Sequence, residues 1–325
     1  MHKNITSSID LIRSEKKITL GIELPLDNDW SPDGEQKRKI DGRPFGVPDL
    51  SCYEELVRQV DYSGFSALWM RDVLIFDQHN FGDAGSVYDP FVNLGFLAGV
   101  TQKVALGTAA VVLPLRHPLM VAKAAASVDT LSNGRLILGV ATGDRPMEFP
   151  LLDVNFEHRG QLFRDSVAKM RDIWRQGKLS VDIELSSRDL DLLPHPINGD
   201  IPLIIAGQGR QTSEWIAQNM EGRFVYPNSF STLAEQSASW RQLRMELHCP
   251  PGIFISAFHL DLANDAELLP EPHRFGARIG RKALIKYLKE CHLVGIDHMV
   301  LHLRRSRRPI GDVLNELSQE VLPYI

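Results

Sequence analysis

RLILGVAT, residues 135–142, is apolar from Leu136 to Ala141 with one glycine as the only interruption. A strand covered on both faces reads this way because neither row of side chains meets water, whereas a half-exposed strand alternates apolar with polar. Seven other short apolar runs surround it, at 17–26, 65–70, 103–113, 201–207, 222–227, 253–262 and 298–303. Between them the apolar spacing changes to that of helices. Tyr53, Leu56, Val57 and Val60 share one helical face, as do Phe163, Val167, Met170 and Trp174. Pro118 suits the first turn of a helix running toward Asp129, and Asn133-Gly134 breaks the chain before the quoted strand. Further helices are expected near 90–100, 211–221, 231–247, 279–294 and 311–322. Eight strands alternating with eight helices specify a parallel α/β sheet, and eight repeats favour closure into a (β/α)8 TIM barrel over an open doubly wound sheet.

The expected organisation is an N-terminal extension, 1–16, followed by a single barrel domain, 17–325. Two connections exceed simple turns, at about 178–200 and 263–279. Long loops in compact domains serve as lids or run over the surface as plain excursions. The second is the better lid, with His273 and Arg274 placed to reach a ligand.

Composition narrows the function. With 36 Lys and Arg against 41 Asp and Glu, the formal charge of −5 supplies no electrostatic footprint for nucleic acid. Cys52, Cys249 and Cys291 are far apart and odd in number, so neither a disulfide framework nor a close-spaced zinc site is expected, and a reducing cytoplasm fits. No run approaches the roughly 20 apolar residues of a membrane span, and the opening MHKNITSSIDLIRSEKK lacks an apolar signal core. His298 and His302 share a strand face, but no carboxylate or cysteine spacing marks a metal site, and no metal is expected.

Chemistry is expected at the strand ends. IPLIIAGQGRQTSEW, residues 201–215, passes from a strand into Gly207, Gln208, Gly209, Arg210, Gln211 and Thr212 before a helix begins. The unsatisfied N–H groups and positive end of a helix suit an oxyanion, Gly209 admits close backbone approach and Thr212 offers a hydroxyl, so the turn is a candidate phosphate cradle. A tight structural turn is the alternative. A dinucleotide fingerprint is weak, since a third glycine is missing and four strands have already passed. Thr142, Gly143 and Asp144 close the neighbouring strand with a second small, polar cluster. Arg304, Arg305, Arg307 and Arg308 after the last strand compete as a phosphate site, because the last two loops of many barrels bind phosphate; a solvated basic loop is the other reading.

Taken together, LGTAAVVLPLRHP (106–118), Ala122 to Asp129, LSNGRLILGVATGD (131–144) and AGQGRQTSEW (206–215) resemble the luciferase-like flavin-dependent monooxygenases. The spaced combination of GTA, LP, HP and GR carries the resemblance, over about 17–230. It implies a barrel binding reduced FMN, or in some branches F420, at the C-terminal strand ends. It implies a non-prolyl cis peptide beside the flavin ring at Ala109-Ala110, and places Thr142 where bacterial luciferase has a phosphate-binding arginine. Gln208 or Gly209, with Gly207, Arg210 and Thr212 around them, then occupy its other phosphate contacts. One departure stands out: light-emitting members carry Glu-His-His at the end of the second strand, where this chain reads Arg71-Asp72-Val73-Leu74. Val73 replaces the histidine used in oxygen chemistry, so a non-luminescent oxidoreductase or monooxygenase is expected. Asp72, Arg71 and His117 are the candidate catalytic residues, and Arg145, Glu148 and Tyr226 are further polar groups at the mouth. The implied partners are a small organic substrate, NAD(P)H or a flavin reductase, and a second copy of the chain in a dimer. A flavin-binding protein without turnover and a flavin-free phosphate-binding isomerase or aldolase are the competing classes.

Overall fold

The computed structural model describes residues 7–77, 79, 88–176 and 190–325. Eight parallel strands close on themselves: β1 (Thr19–Glu23), β2 (Ala67–Met70), β3 (Ala105–Thr108), β5 (Leu136–Ala141), β6 (Leu203–Ala206), β7 (Gly222–Val225), β8 (Ile253–Leu262) and β11 (His298–His302). Each pairs with its successor in that list, and β11 bonds both β8 and β1, so the ring has no free edge. The quoted run is β5, and the consecutive burial of its residues matches a strand covered on both sides. The run at 103–113 divides in two, because a cis peptide at Ala109-Ala110 separates β3 from β4 (Val111–Val112), which pairs with β5.

Helices fill the outer layer: α1 (Ser8–Leu11), α2 (Pro32–Ile40), α3 (Tyr53–Tyr62), α4 (Pro90–Val100), α5 (Pro118–Leu131), α6 (Arg159–Gln176), α7 (Ser213–Asn219), α8 (Phe230–Glu246), α9 (Arg281–Leu293) and α10 (Ile310–Glu316). The expected stripe of α6 is its buried face, since Phe163, Val167, Met170 and Trp174 all pack inward. Asn133 and Gly134, both at positive φ, end the turn between α5 and β5. Two helices lack the apolar spacing that makes a helix legible. In α2 only Gly34 and Arg38 are buried, and its start is set by Ser31, whose hydroxyl accepts from the Gly34 amide at 3.0 Å. The other is α1, whose face is turned to the barrel floor.

Residues 8–12 belong to the core. Ile9 and Ile12 join Ala67, Trp69, Ala105, Ile137, Ile204 and Val300 inside the barrel, and the Ser8 hydroxyl donates to the Leu136 carbonyl at 2.8 Å. The Trp69 indole fits because β3 carries Gly107 beside it; a Cβ there would lie 2.4 Å from the ring. Trp69 Nε1 donates to His298 Nε2 at 3.0 Å, which leaves the proton on Nδ1 to be donated to Thr19 Oγ1 at 2.7 Å. The Thr19 hydroxyl then donates to the Ile12 carbonyl at 2.7 Å. Burial pushes His298 down to about 3 and holds it neutral, as that arrangement requires.

The excursion at 263–279 is an ordered hairpin, β9 (Glu271–His273) and β10 (Gly276–Ile279), with β10 bonded along β8. Of the excursion at 178–200, residues 178–189 lie outside the described residues, as do 1–6 of the extension. Among the described residues no helix is long and apolar enough to cross a membrane.

Candidate functional site

The C-terminal strand ends enclose a cavity of about 360 Å³. One side is the cis Ala109-Ala110 segment with Val112, and Val73 beyond it. Next to it come Ala141 to Arg145 at the end of β5, and then Ala206 to Gly209 at the end of β6. Small side chains at Ala109, Ala110, Ala141 and Ala206 leave backbone as much of the wall, the surface a flat, ring-shaped ligand needs. Gly209 adopts φ +56°, and a Cβ there would sit 2.7 Å from Ile205 Cδ1, so a side chain would crowd the strand behind the turn.

Of the residues singled out in the sequence, Arg71, Ala109, Ala110, Thr142, Gly207, Gln208 and Gly209 line this one cavity. Asp72, His117, Arg210 and Thr212 stand behind or beside it. Asp72 accepts from Arg116 at 2.9 and 3.0 Å and from the Val112 amide at 3.2 Å, fastening the backbone just after the cis peptide. His117 caps α5, with Nδ1 accepting from the Leu119 amide at 3.3 Å. Arg210 turns outward toward Glu157 at 3.3 Å. The Thr212 oxygen accepts from the Trp215 amide at 3.2 Å as the cap of α7, and its own hydrogen remains free to donate.

Several wall residues escaped the sequence reading. Glu23, at the end of β1, is buried and bound to Arg71 at 2.5 Å. Its one signal was an acidic residue inside the apolar run 17–26. Strand register brings Glu23 opposite His302 and His302 opposite His259, pairings that spacing along the chain does not reveal. Burial, then the charges of Arg71 and Arg305, push His259 down to about 3, and burial likewise holds His302 well below its ordinary range. The two neutral rings stack at 4.3 Å, and Trp30 packs on His302 at 4.8 Å. Phe275, in the hairpin turn, meets His259 edge-on at 5.6 Å and stacks on Tyr226 at 5.4 Å. The hairpin thus reaches this cavity through Phe275 rather than through His273 and Arg274.

Arg223 on β7, which is not in the cavity lining but bonds Gln208 in it, is the other omission. Its guanidinium donates to Gln208 Oε1 at 3.0 Å, its buried Nε has no partner, and burial without a carboxylate lowers its affinity for a proton. A desolvated guanidinium touching the Gly207–Gly209 turn is suited to an anion. By contrast, three of the four arginines after β11 have carboxylate partners: Arg304 with Asp27 at 2.6 Å, Arg307 with Asp261 at 3.2 Å and Arg308 with Glu316 at 2.6 Å. Glu148, whose buried carboxyl is raised mainly by desolvation, accepts from the Ile75 amide at 3.3 Å and lies 3.7 Å from Arg145. Among the described residues no group of three His, Cys, Asp or Glu could hold a metal ion.

Residues 23–274 match the sequence profile of the luciferase-like monooxygenases. The alkanal monooxygenase alpha chain of Photorhabdus luminescens is 26% identical over 167 residues, 51% of this chain and 44% of that one. The F420-dependent glucose-6-phosphate dehydrogenase of Beutenbergia cavernae is 30% identical over 213 residues, covering 62% and 61%. The chain thus spans about half the length of the curated relatives it matches. A monooxygenase from Streptomyces bottropensis superposes with a TM-score of 0.72 over 94% of this chain and 99% of its own, and at 16% identity that likeness is one of fold.

Proposed function

Because the chain belongs to the luciferase-like monooxygenase family, we propose that it is an oxidoreductase that holds reduced FMN at the strand ends and, with O2 as the oxidant, oxygenates a small organic substrate beside it. The observation that carries this reading is the pairing of a backbone-walled cavity of about 360 Å³ with an anion corner, the Gly207–Gly209 turn and the Arg223 guanidinium. Arg223 would supply the positive charge for the cofactor phosphate, the Gly207, Gln208 and Gly209 turn its close approach, and the Thr212 hydroxyl one more donor. Thr142, uncharged, would only shape that corner. When bound, the reduced flavin would supply the two electrons with which O2 gives one oxygen atom to the substrate and the other to water.

The remaining residues bind, orient and exclude water. Ala109-Ala110 would lie along the ring. Asp72 would act as a positioning residue by fixing Val112 and Arg116, and Arg71, held by Glu23, would present a charge at the cavity wall. His117 caps a helix and would not touch substrate. Phe275 and Tyr226 would cover the mouth. Electrons would come from NAD(P)H directly or through a flavin reductase. A second copy of the chain would cover the outer faces of α4 and α5, where Val92, Phe96, Met120 and Leu131 are exposed.

A titration of the purified protein with FMN and with riboflavin, which lacks the phosphate, tests the assignment. FMN should bind more tightly, and Arg223→Gln should cost ~1.5–3 kcal/mol of FMN affinity while leaving riboflavin unchanged. Equal affinities for the two flavins would sink the phosphate corner. F420 is the second reading, favoured by the similarity to the F420-dependent dehydrogenase, and the mass and spectrum of the extracted cofactor decide between them.

A further inference from the structure

Beside the first cavity, beyond the ring stack of His259, His302 and Trp30, lies a second of about 410 Å³. Its walls come from Trp30, the end of β8 at Asp261, the β9–β10 hairpin and the loop after β11. Three guanidinium groups face it, those of Arg278, Arg305 and Arg307, against two carboxylates, Asp261 and Glu271. Both carboxylates are already engaged: Asp261 by Arg307 at 3.2 Å and Arg278 at 3.7 Å, Glu271 by Arg278 at 3.3 Å. Among the described residues Arg305 has no ion-pair or hydrogen-bond partner, and its Nε is buried and unbonded. Buried donors without acceptors cost stability unless a ligand supplies the acceptor.

The two cavities are electrically one neighbourhood. Arg305 lines the second, yet its charge is felt at His259 in the wall of the first and at His302 between them. Trp30 and His259, one from each wall, have ring centroids 6.4 Å apart. We propose that Arg305 binds the carboxylate of an organic acid whose ring or chain lies along Trp30 in the second cavity. The binding of the acid does not rest on the flavin reading. A planar bidentate guanidinium fits a carboxylate, and the aromatic walls favour a flat apolar body behind it.

The test uses the full chain without added cofactor, with 3-phenylpropionate as probe and the neutral 3-phenylpropionamide as its match. Titration should show the acid binding more tightly than the amide, and Arg305→Gln should weaken the acid by roughly tenfold while leaving the amide unchanged. Equal binding of acid and amide, or unchanged acid binding in Arg305→Gln, overturns the proposal. FMN affinity in the same variant separates the two anions: it should stay at the native value, and a large loss would place the cofactor phosphate at Arg305 instead. If the native protein bound neither FMN nor F420, the flavin reading would fail while the acid titration still stood on its own.

Discussion

At the floor of the barrel Trp69, His298 and Thr19 pass hydrogen bonds from one to the next until the Ile12 carbonyl accepts the last. At the mouth His259 and His302 stack with both Nδ1 atoms unbonded, and the Arg223 and Arg305 guanidinium groups each keep a buried nitrogen without a partner. Both regions bury polar side chains on the same eight strands. The floor satisfies its polar groups internally and so adds to stability; the mouth leaves acceptors to be supplied from outside. Polar burial alone therefore does not mark a site; at the mouth it is the coincidence of unpartnered polar atoms with a cavity that does.

That contrast can be broken by mutation. The largest effect is expected from Asp27→Ala, which strands Arg304, a side chain only 1% exposed and held by that carboxylate at 2.6 Å. It should cost ~3 kcal/mol in urea unfolding, because the buried guanidinium loses its hydrogen-bonded carboxylate and keeps only Asp29 at 3.7 Å. Trp69→Phe, at the floor, should cost ~1–3 kcal/mol by removing the donor to His298, with FMN affinity unchanged. A change in flavin affinity with that variant would show that floor and mouth are coupled.

Acid sharpens the comparison from the other side. His259 and His298 are held near 3 and His302 is held well below the ordinary value of 6.5, so all three are neutral in the folded chain. The unfolded chain takes up protons below about 6.5. Stability should be full above that pH and fall as pH drops through the window toward 3, by up to ~1.4 kcal/mol per pH unit for each ring. His259→Phe should flatten the fall by one ring, as measured by unfolding between about pH 4 and 7. A profile that is level across this range would mean that the rings are already charged in the folded state.

One variant at the mouth should change stability little. Asp72→Asn keeps shape but weakens the hold on Arg116, and turnover should drop by more than the ~1 kcal/mol expected in stability; an unchanged rate would remove Asp72 from the positioning role. The smallest signal is a null. Reduced FMN with a long-chain aldehyde should give no light, since Val73 neither donates a hydrogen bond nor carries a proton. Appreciable emission would refute that.

Strands such as β5 and β8 were legible because burial on both faces leaves consecutive apolar residues, and α6 because its stripe repeats at helical spacing. The polar helix α2 was not, since a cap at Ser31 and two buried residues replace the stripe. At the site, Gly207 to Gly209 stood out by composition. Arg223 and His259 look in the chain like any arginine or histidine in an apolar run; only strand register and one buried, unbonded nitrogen on each distinguish them. Thr212 was legible as a helix start, and its capping bond uses the oxygen but spares the hydrogen.

The floor plug also sets an order of assembly. Ser8, Ile9 and Ile12 precede every barrel strand, yet their partners are Leu136, Ile204 and Val300. During synthesis these residues are not fully docked until the last strand emerges and closes the ring, so a segment made before the barrel is among the last to be buried. A nascent chain arrested before residue 298 should leave that segment open to protease, and its protection would report the moment of closure.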